Sequence, residues 1–130
     1  GPTQPLDCTR RGMQCTILAA CRHFAAVLIQ VSGICRLPVE DRFHIGLVTS
    51  GNLRAKGLSN AYSLGAGDAC LAPACLECVE LEGDGVVLDY FAPELKRDIV
   101  DPLLEAGHPP EAIVRLGGDP VDNDLLALLK

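Results

Sequence analysis

The histidines are the first candidates for metal binding or acid–base chemistry, and there are three of them: His23, His44 and His108. A catalytic metal centre needs several imidazoles and a carboxylate that converge on one ion. His44 lies in an alternating, strand-like segment with no second histidine two residues away, and His108 precedes two prolines in a predicted loop. The spacing therefore predicts neither a metal centre nor a bound cofactor.

Cysteines are the second group, and their number is odd: Cys8, Cys15, Cys21, Cys35, Cys70, Cys75 and Cys78. Secreted disulfide frameworks use even numbers in polar, loop-rich chains, so small apolar cysteines in a cytoplasmic protein are the simpler interpretation. Cys75 and Cys78 form a CxxC motif, which makes them and Cys70 candidates for thiol sensing or soft-metal binding. The alternative, buried cysteines in a core of small residues, is favoured because a zinc site would need a second such pair.

Charge and motif content exclude several function classes. The net charge is −6, which opposes binding to phosphate backbones and anionic membranes. Residues 13–31 approach membrane-spanning length, but Arg22 and His23 interrupt them, and an arginine at that depth costs about 2.5–3.5 kcal/mol. The serines lie in no nucleophile motif, so we predict that the chain is not an enzyme.

Hydrophobic periodicity predicts strands first and helices after them. Residues 42–48 alternate between apolar and polar or small positions, and short extended segments separated by turn residues follow at 53–56, 61–64, 70–72, 77–82 and 86–91. Residues 49–52 and 83–85 are predicted turns, because each contains glycine beside other turn-forming residues. Residues 13–20 and 24–31 favour strands, although their periodicity leaves a helix open. Short helices are predicted at 94–100 and 110–116, with a last one capped by Asp122. The predicted fold class is α+β, a small β-barrel or sandwich followed by short helices.

These elements divide the sequence into three parts. Residues 1–12 are expected to be a flexible arm that begins with a Gly1-Pro2 tag scar, residues 13–92 a β-barrel, and residues 93–130 a helical segment. The scar also suggests a longer native protein. At the barrel corner Gly65-Ala66-Gly67-Asp68, Gly67 should adopt a left-handed conformation while Asp68 bonds nearby backbone amides.

The ordered set of motifs from Arg42 to Leu95 resembles the cupin-like sensor domain of bacterial AraC-type (arabinose-regulator) transcription factors. It comprises the strand Phe43–Val48, the Gly-Asp corner, the strand Val86–Phe91 and the change to helices at Pro93. The resemblance implies a barrel that binds a small-molecule or protein effector, with His44 and Val48 as ligand-binding candidates. It also implies helices that make a homodimer, and DNA binding only through a helix-turn-helix domain absent from this sequence.

Leucines in the helical segment are the candidates for the dimer interface, because they exceed what a small barrel needs to cover. They are Leu103, Leu104, Leu125, Leu126, Leu128 and Leu129. The alternative is that they form core. A second function remains open, an acidic dimeric chaperone or adaptor for a bacterial secretion system. Such a chaperone should begin with a helix, so the conformation of residues 13–31 discriminates between the two.

Overall fold

The computed structural model describes residues 4–118 and 122–129 of the chain. The expected Gly1-Pro2 scar lies outside the described residues. The chain forms two compact units, one made of the residues up to Val27 and from Ala92 onward, the other of Leu28–Phe91. The secondary structure is an antiparallel β-sandwich followed by two short helices, which confirms the predicted fold class.

The first unit begins with a β-hairpin where a flexible arm was expected. Strands β1 (Leu6–Arg10) and β2 (Met13–Ala20) pair antiparallel. Arg11 and Gly12 connect them with φ angles of 52° and 78°, the left-handed pair that tight hairpins favour. Cys8 lies directly opposite Cys15 and both are buried. The arm forms a strand because this cross-strand pair gives it an apolar face to bury.

Helical turns complete the first unit. A π-helical turn at Lys96–Val100 continues into α1 (Asp101–Glu105), and α2 (Pro110–Val114) follows. Single 3-10 turns occupy Arg115–Gly117 and Leu126–Leu128, the second where a capped helix was predicted. The core of these turns consists of fully buried aliphatic side chains, namely Ile99, Leu103, Ile113, Leu116 and Leu125. Among the described residues, no helix has the length and apolar character needed to cross a membrane.

The second unit is built around two long strands. β3 (Ala25–Pro38) enters it from the first unit, and β4 (His44–Lys56) and β7 (Cys78–Phe91) pair antiparallel along almost their whole length. The other edge of β4 pairs with β6 (Ala69–Ala72) and then with β5 (Ala61–Gly65). Residues 13–20 and 25–38 are thus strands, so the initial helix that the chaperone alternative requires is absent there.

Two glycine-containing segments that the sequence assigned to turns lie inside β4 and β7. Gly51 pairs with Gly85, and the register shifts by one residue between Val48 and Ser50, which is a β-bulge. A Cβ atom on Gly51 or Gly85 would overlap the backbone of the opposite strand. The glycines therefore serve close strand approach at a bend, and the two predicted turns were wrong.

The predicted corner at Gly67-Asp68 is confirmed. Gly67 has a φ of 93°, and its amide donates to the Val48 carbonyl at 2.8 Å. The Asp68 carboxylate accepts a hydrogen bond from the Gly65 amide, also at 2.8 Å. The turn connects β5 to β6 and fixes where β6 begins beside β4.

Candidate ligand-binding site

The register of β6, β4 and β7 places three rows of side chains on the inner face of the second unit. Ala72, His44 and Phe91 form one row, and Cys70, Gly46 and Asp89 form the next. Val48 and Val87 follow as the third. Small residues dominate the second row, because Gly46 has no side chain and Cys70 has a short one. The rows therefore leave space above the middle of the sheet.

That space is the inner cavity, with a volume of about 40 Å³. Its walls are mainly aliphatic, and His44 and Asp89 are the charged residues of its lining. The apolar wall residues are Leu37, Pro38, Val39, Val48, Leu53, Leu64, Val79, Leu81 and Val87. A volume of this size admits a group comparable to a methyl or hydroxyl, so the inner cavity suits the tip of a ligand.

Both ring nitrogens of His44 face hydrogen-bond acceptors. Nδ1 lies 2.9 Å and 3.2 Å from the two carboxylate oxygens of Asp89. Nε2 lies 3.0 Å from the Val39 carbonyl oxygen. Because neither a carboxylate nor a carbonyl can donate, both contacts are hydrogen bonds only when both nitrogens carry protons, so the geometry favours the imidazolium form of His44. His44 and Asp89 thus form a charge-assisted pair whose side chains are 15% and 14% exposed.

The environment of His44 favours that charged form. Burial acts to lower the pKa of His44, but the hydrogen bond and charge of Asp89, with the Val39 carbonyl, outweigh it and raise the pKa above its ordinary value. The Phe91 ring lies 5.1 Å from the imidazole ring, and the Arg42 guanidinium lies 4.6 Å from the centre of the Phe91 ring. Aromatic stacking therefore holds the imidazole from a third side.

The turn between β3 and β4 has a strained backbone and is held by hydrogen bonds at one end of the inner cavity. Glu40 and Asp41 have φ angles of 58° and 60°, a conformation that costs non-glycine residues roughly 1–2 kcal/mol each. The bond from His44 to the Val39 carbonyl holds this turn, and the Val39 amide donates to the Glu77 carbonyl at 3.0 Å. Val39 lines the inner cavity, so His44 links the turn to the site.

A larger opening, the outer cleft, adjoins the inner cavity. Its volume is about 700 Å³, and it lies among β5, β6 and the loops that flank them. Leu64, Cys70, Ala72 and Val79 line both spaces, so these four residues form the boundary between them. Exposed apolar side chains, Leu58, Tyr62 and Leu71, line the outer cleft. A ligand body in the outer cleft could thus place a small group in the inner cavity.

The structure brings together some of the residues that the sequence singled out. His44 and Val48 both line the inner cavity, and Cys70 lies on its boundary with the outer cleft. Burial raises the pKa of the Cys70 thiol, which disfavours a reactive thiolate. Cys75 is exposed in the loop after β6, and Cys78 begins β7. All seven cysteines lie in the described part of the chain, and none forms a disulfide.

Asp89 is the site residue that the sequence analysis missed. It lies 45 positions from His44 in the chain and reaches it only through the β4–β7 pairing. The available signal was an acidic residue on a strand whose alternate residues are apolar. Within the residues that the structure describes, no group of three or more His, Cys, Asp or Glu side chains is placed to hold a metal ion.

The dimer-interface candidates divide between core and surface. Leu103 and Leu125 are fully buried within the first unit itself, so they have no surface to offer a partner. Leu104 and Leu128 are exposed, and Leu126 and Leu129 are intermediate. The helical segment thus uses part of the predicted interface as its own core.

Comparison with known proteins shows the fold. No protein-family model matches the chain, and no curated protein matches it. Among solved structures, KdgF from Halomonas sp. is similar with 24% identity and a TM-score of 0.59, over 72% of this chain and 91% of that one. An RmlC-like cupin from Shewanella frigidimarina has 17% identity and a TM-score of 0.61, over 72% and 88%. The fold is therefore cupin-like.

The prediction that the chain is not an enzyme was wrong, because several enzymes share its fold. Mannose 6-phosphate isomerase from Bacillus subtilis shares this fold with 18% identity and a TM-score of 0.59, over 69% of this chain and 29% of that one. A lyase and a decarboxylase are further matches. The absence of a nucleophile motif carried the prediction, but the fold is shared with enzymes, so that absence does not exclude catalysis.

Proposed function

We propose that the chain is a ligand-binding cupin-like domain whose site is the inner cavity together with the outer cleft. In its finer form, the proposal is that binding is the sensing step of an AraC-type regulator in the bacterial cytoplasm. The observation that carries the proposal is the apolar path from the outer cleft to one charged pair at its inner end. Such a path, with few polar groups that fix orientation, is typical of small-molecule sites.

The chemistry of the path indicates the ligand class. The outer cleft offers apolar side chains to a ligand body, whereas Asp89 offers carboxylate lone pairs beyond those that His44 occupies. A hydroxyl or amine at the tip of the ligand could donate to Asp89. The ligand that fits best is therefore a mainly apolar molecule with one hydrogen-bond donor, and a protein effector could present the same group on a side chain.

Titration with Nile red, an uncharged apolar dye, tests this site. We expect saturable binding with a fluorescence increase for the parent chain. Ala72→Leu places a larger side chain on the boundary between the two spaces and should weaken dye binding at least about tenfold. Ala74→Leu, at an exposed loop position outside both spaces, is the matched control and should bind like the parent.

Dye binding that Ala72→Leu leaves unchanged would contradict the proposal, as would no saturable binding to the parent. Circular dichroism checks that each variant is folded. Ala72→Val repeats the test with a smaller side chain, because overpacking a buried position costs typically 1–3 kcal/mol.

A second candidate function is acid catalysis at the same site. The observation that favours it is the charged imidazole of His44, which could give its Nε2 proton to a ligand that displaces the Val39 carbonyl. Solved structures with this fold include an isomerase and a lyase. Incubation with a set of small hydroxy compounds, followed by NMR, should show turnover that His44→Gln abolishes and His23→Gln retains. Equal turnover in the two variants would exclude the candidate.

A further inference from the structure

A row of large apolar side chains crosses the outer face of the second unit. Leu71 on β6, Ile45 on β4 and Tyr90 on β7 are direct cross-strand partners and are 64%, 42% and 37% exposed. Phe43, which immediately precedes β4, is 57% exposed and lies two residues before Ile45 in the chain, so we group it with this row. We call these four residues the outer-face patch.

The size of the outer-face patch exceeds that of scattered surface leucines. With roughly 150–250 Å² for a large apolar side chain, the four exposed fractions together amount to about 300–500 Å². The largest apolar patch on a typical monomer covers about 300–600 Å² and is often functional, so the outer-face patch has the size of a functional surface. Burying such an area against a partner would contribute several kcal/mol at about 25 cal/mol per Å².

The surroundings of the outer-face patch indicate which partner it fits. The next outer row, Ala69, Leu47 and Leu88, is also uncharged, although Leu88 itself is buried. A strongly charged partner would find nothing to pair with on these two rows, whereas an identical apolar row is complementary to them. A dimer needs about 800 Å² per subunit, so the patch would supply roughly half of it as an apolar centre and polar neighbours the remainder.

We propose that the outer-face patch is a self-association surface, on which the same patch of a second copy packs about a twofold axis. A twofold interface uses the same residues from both subunits, so a single central row is sufficient to form it. This surface differs from the helical leucines considered at first, of which Leu103 and Leu125 are core. The inference does not depend on a ligand being bound, and although Leu71 also lines the outer cleft, Ile45 lies outside both spaces and tests the patch separately from dye binding.

Sedimentation equilibrium of the whole chain over a range of concentrations up to millimolar tests the proposal. The parent chain should approach twice its mass of 13.8 kDa. Leu71→Lys should weaken dimerisation at least about tenfold, because it places two like charges in the apolar centre. Ile34→Lys is the matched control, since Ile34 is 63% exposed but lies on β3 outside the patch. It should dimerise like the parent.

Three results would overturn the proposal. They are a parent chain that stays monomeric at millimolar concentration, a Leu71→Lys variant that dimerises as the parent does, and an Ile34→Lys variant that dissociates as far as Leu71→Lys. Circular dichroism confirms that the variants are folded. Ile45→Thr, which keeps a β-branched side chain on β4, provides a milder second change in the same row.

Discussion

Raising the pH through the pKa of His44 should destabilise the folded chain. The pKa of His44 lies above its ordinary value of 6.5 in the folded state. The stabilisation by the charged ring is therefore complete below about pH 6.5 and is lost as the pH rises through the folded-state pKa. In that interval the folded state binds a proton that the unfolded state has released, so the free energy of unfolding falls with increasing pH.

The size of the effect follows from which contact is lost. Deprotonation of His44 removes the Nε2–H bond to the Val39 carbonyl, because the Asp89 carboxylate holds the Nδ1 proton more strongly, and it ends the charged His44–Asp89 pair. A hydrogen bond to a charged group contributes about 1.5–3 kcal/mol net. Because the two side chains are 15% and 14% exposed, solvent screening places the expected loss at the lower end, about 1.5–2 kcal/mol.

Urea unfolding followed by far-UV circular dichroism measures this loss, since the chain has no tryptophan for fluorescence. We expect the parent chain to lose stability as the pH rises above about 6.5, whereas His44→Gln should show little change over the same interval. His23→Gln, which removes an exposed imidazole, should follow the parent. Equal slopes for the parent and His44→Gln, or a parent stability that rises with pH, would refute the assignment of the imidazolium.

Further predictions concern burial, strand approach and thiol access. Asp98→Ala removes a fully buried carboxylate that pairs with two arginines, so the free energy of unfolding should fall by about 3–5 kcal/mol. Asp101→Ala, at a more exposed ion pair, is the control and should cost at most about 1 kcal/mol. Urea unfolding of the two variants measures the difference. Gly85→Ala should lower the free energy of unfolding by about 1–3 kcal/mol, because the added Cβ would overlap the backbone of β4. Gly57→Ala is the control and should be near neutral, since its Cβ would meet only a leucine side chain. Similar losses in the two variants would contradict the close approach of β7 to β4. Iodoacetamide should modify Cys75 well before the buried cysteines of β1 and β2, and simultaneous labelling in mass spectra would exclude that burial.

Local alternation was sufficient to predict most strands, but not their lengths. The segments 42–48 and 86–91 show their period of two in the sequence; residues 44–48 lie in the observed strand β4, and the whole of 86–91 lies in β7. The glycines at 51, 83 and 85 were assigned to turns because glycine most often permits a turn. In the structure they let two bent strands approach each other, and that requirement depends on the partner strand.

The candidate-site residues on β4 were predicted from the sequence, but their partner on β7 was not. The resemblance implied that one face of a barrel strand lines the site, and His44 and Val48 share a face of the predicted strand at 42–48. Asp89 could not be identified with them, since the pairing that unites it with His44 is set by the register of β4 against β7. The same limit applied to the helical leucines, because periodicity cannot distinguish Leu103 in the core from exposed Leu104.

Strand β6 connects the two proposals physically. Its inner residues, Cys70 and Ala72, form the boundary between the inner cavity and the outer cleft, whereas Leu71 points to the outer-face patch and also lines the outer cleft. The inner cavity has a volume of only about 40 Å³, so the part of a ligand that does not fit inside it must contact or displace β6. A ligand can shift an association equilibrium only by its differential affinity for the two states. Strand β6 would contact a ligand on one face and a second copy on the other. A difference in ligand affinity between monomer and dimer would therefore arise through this strand.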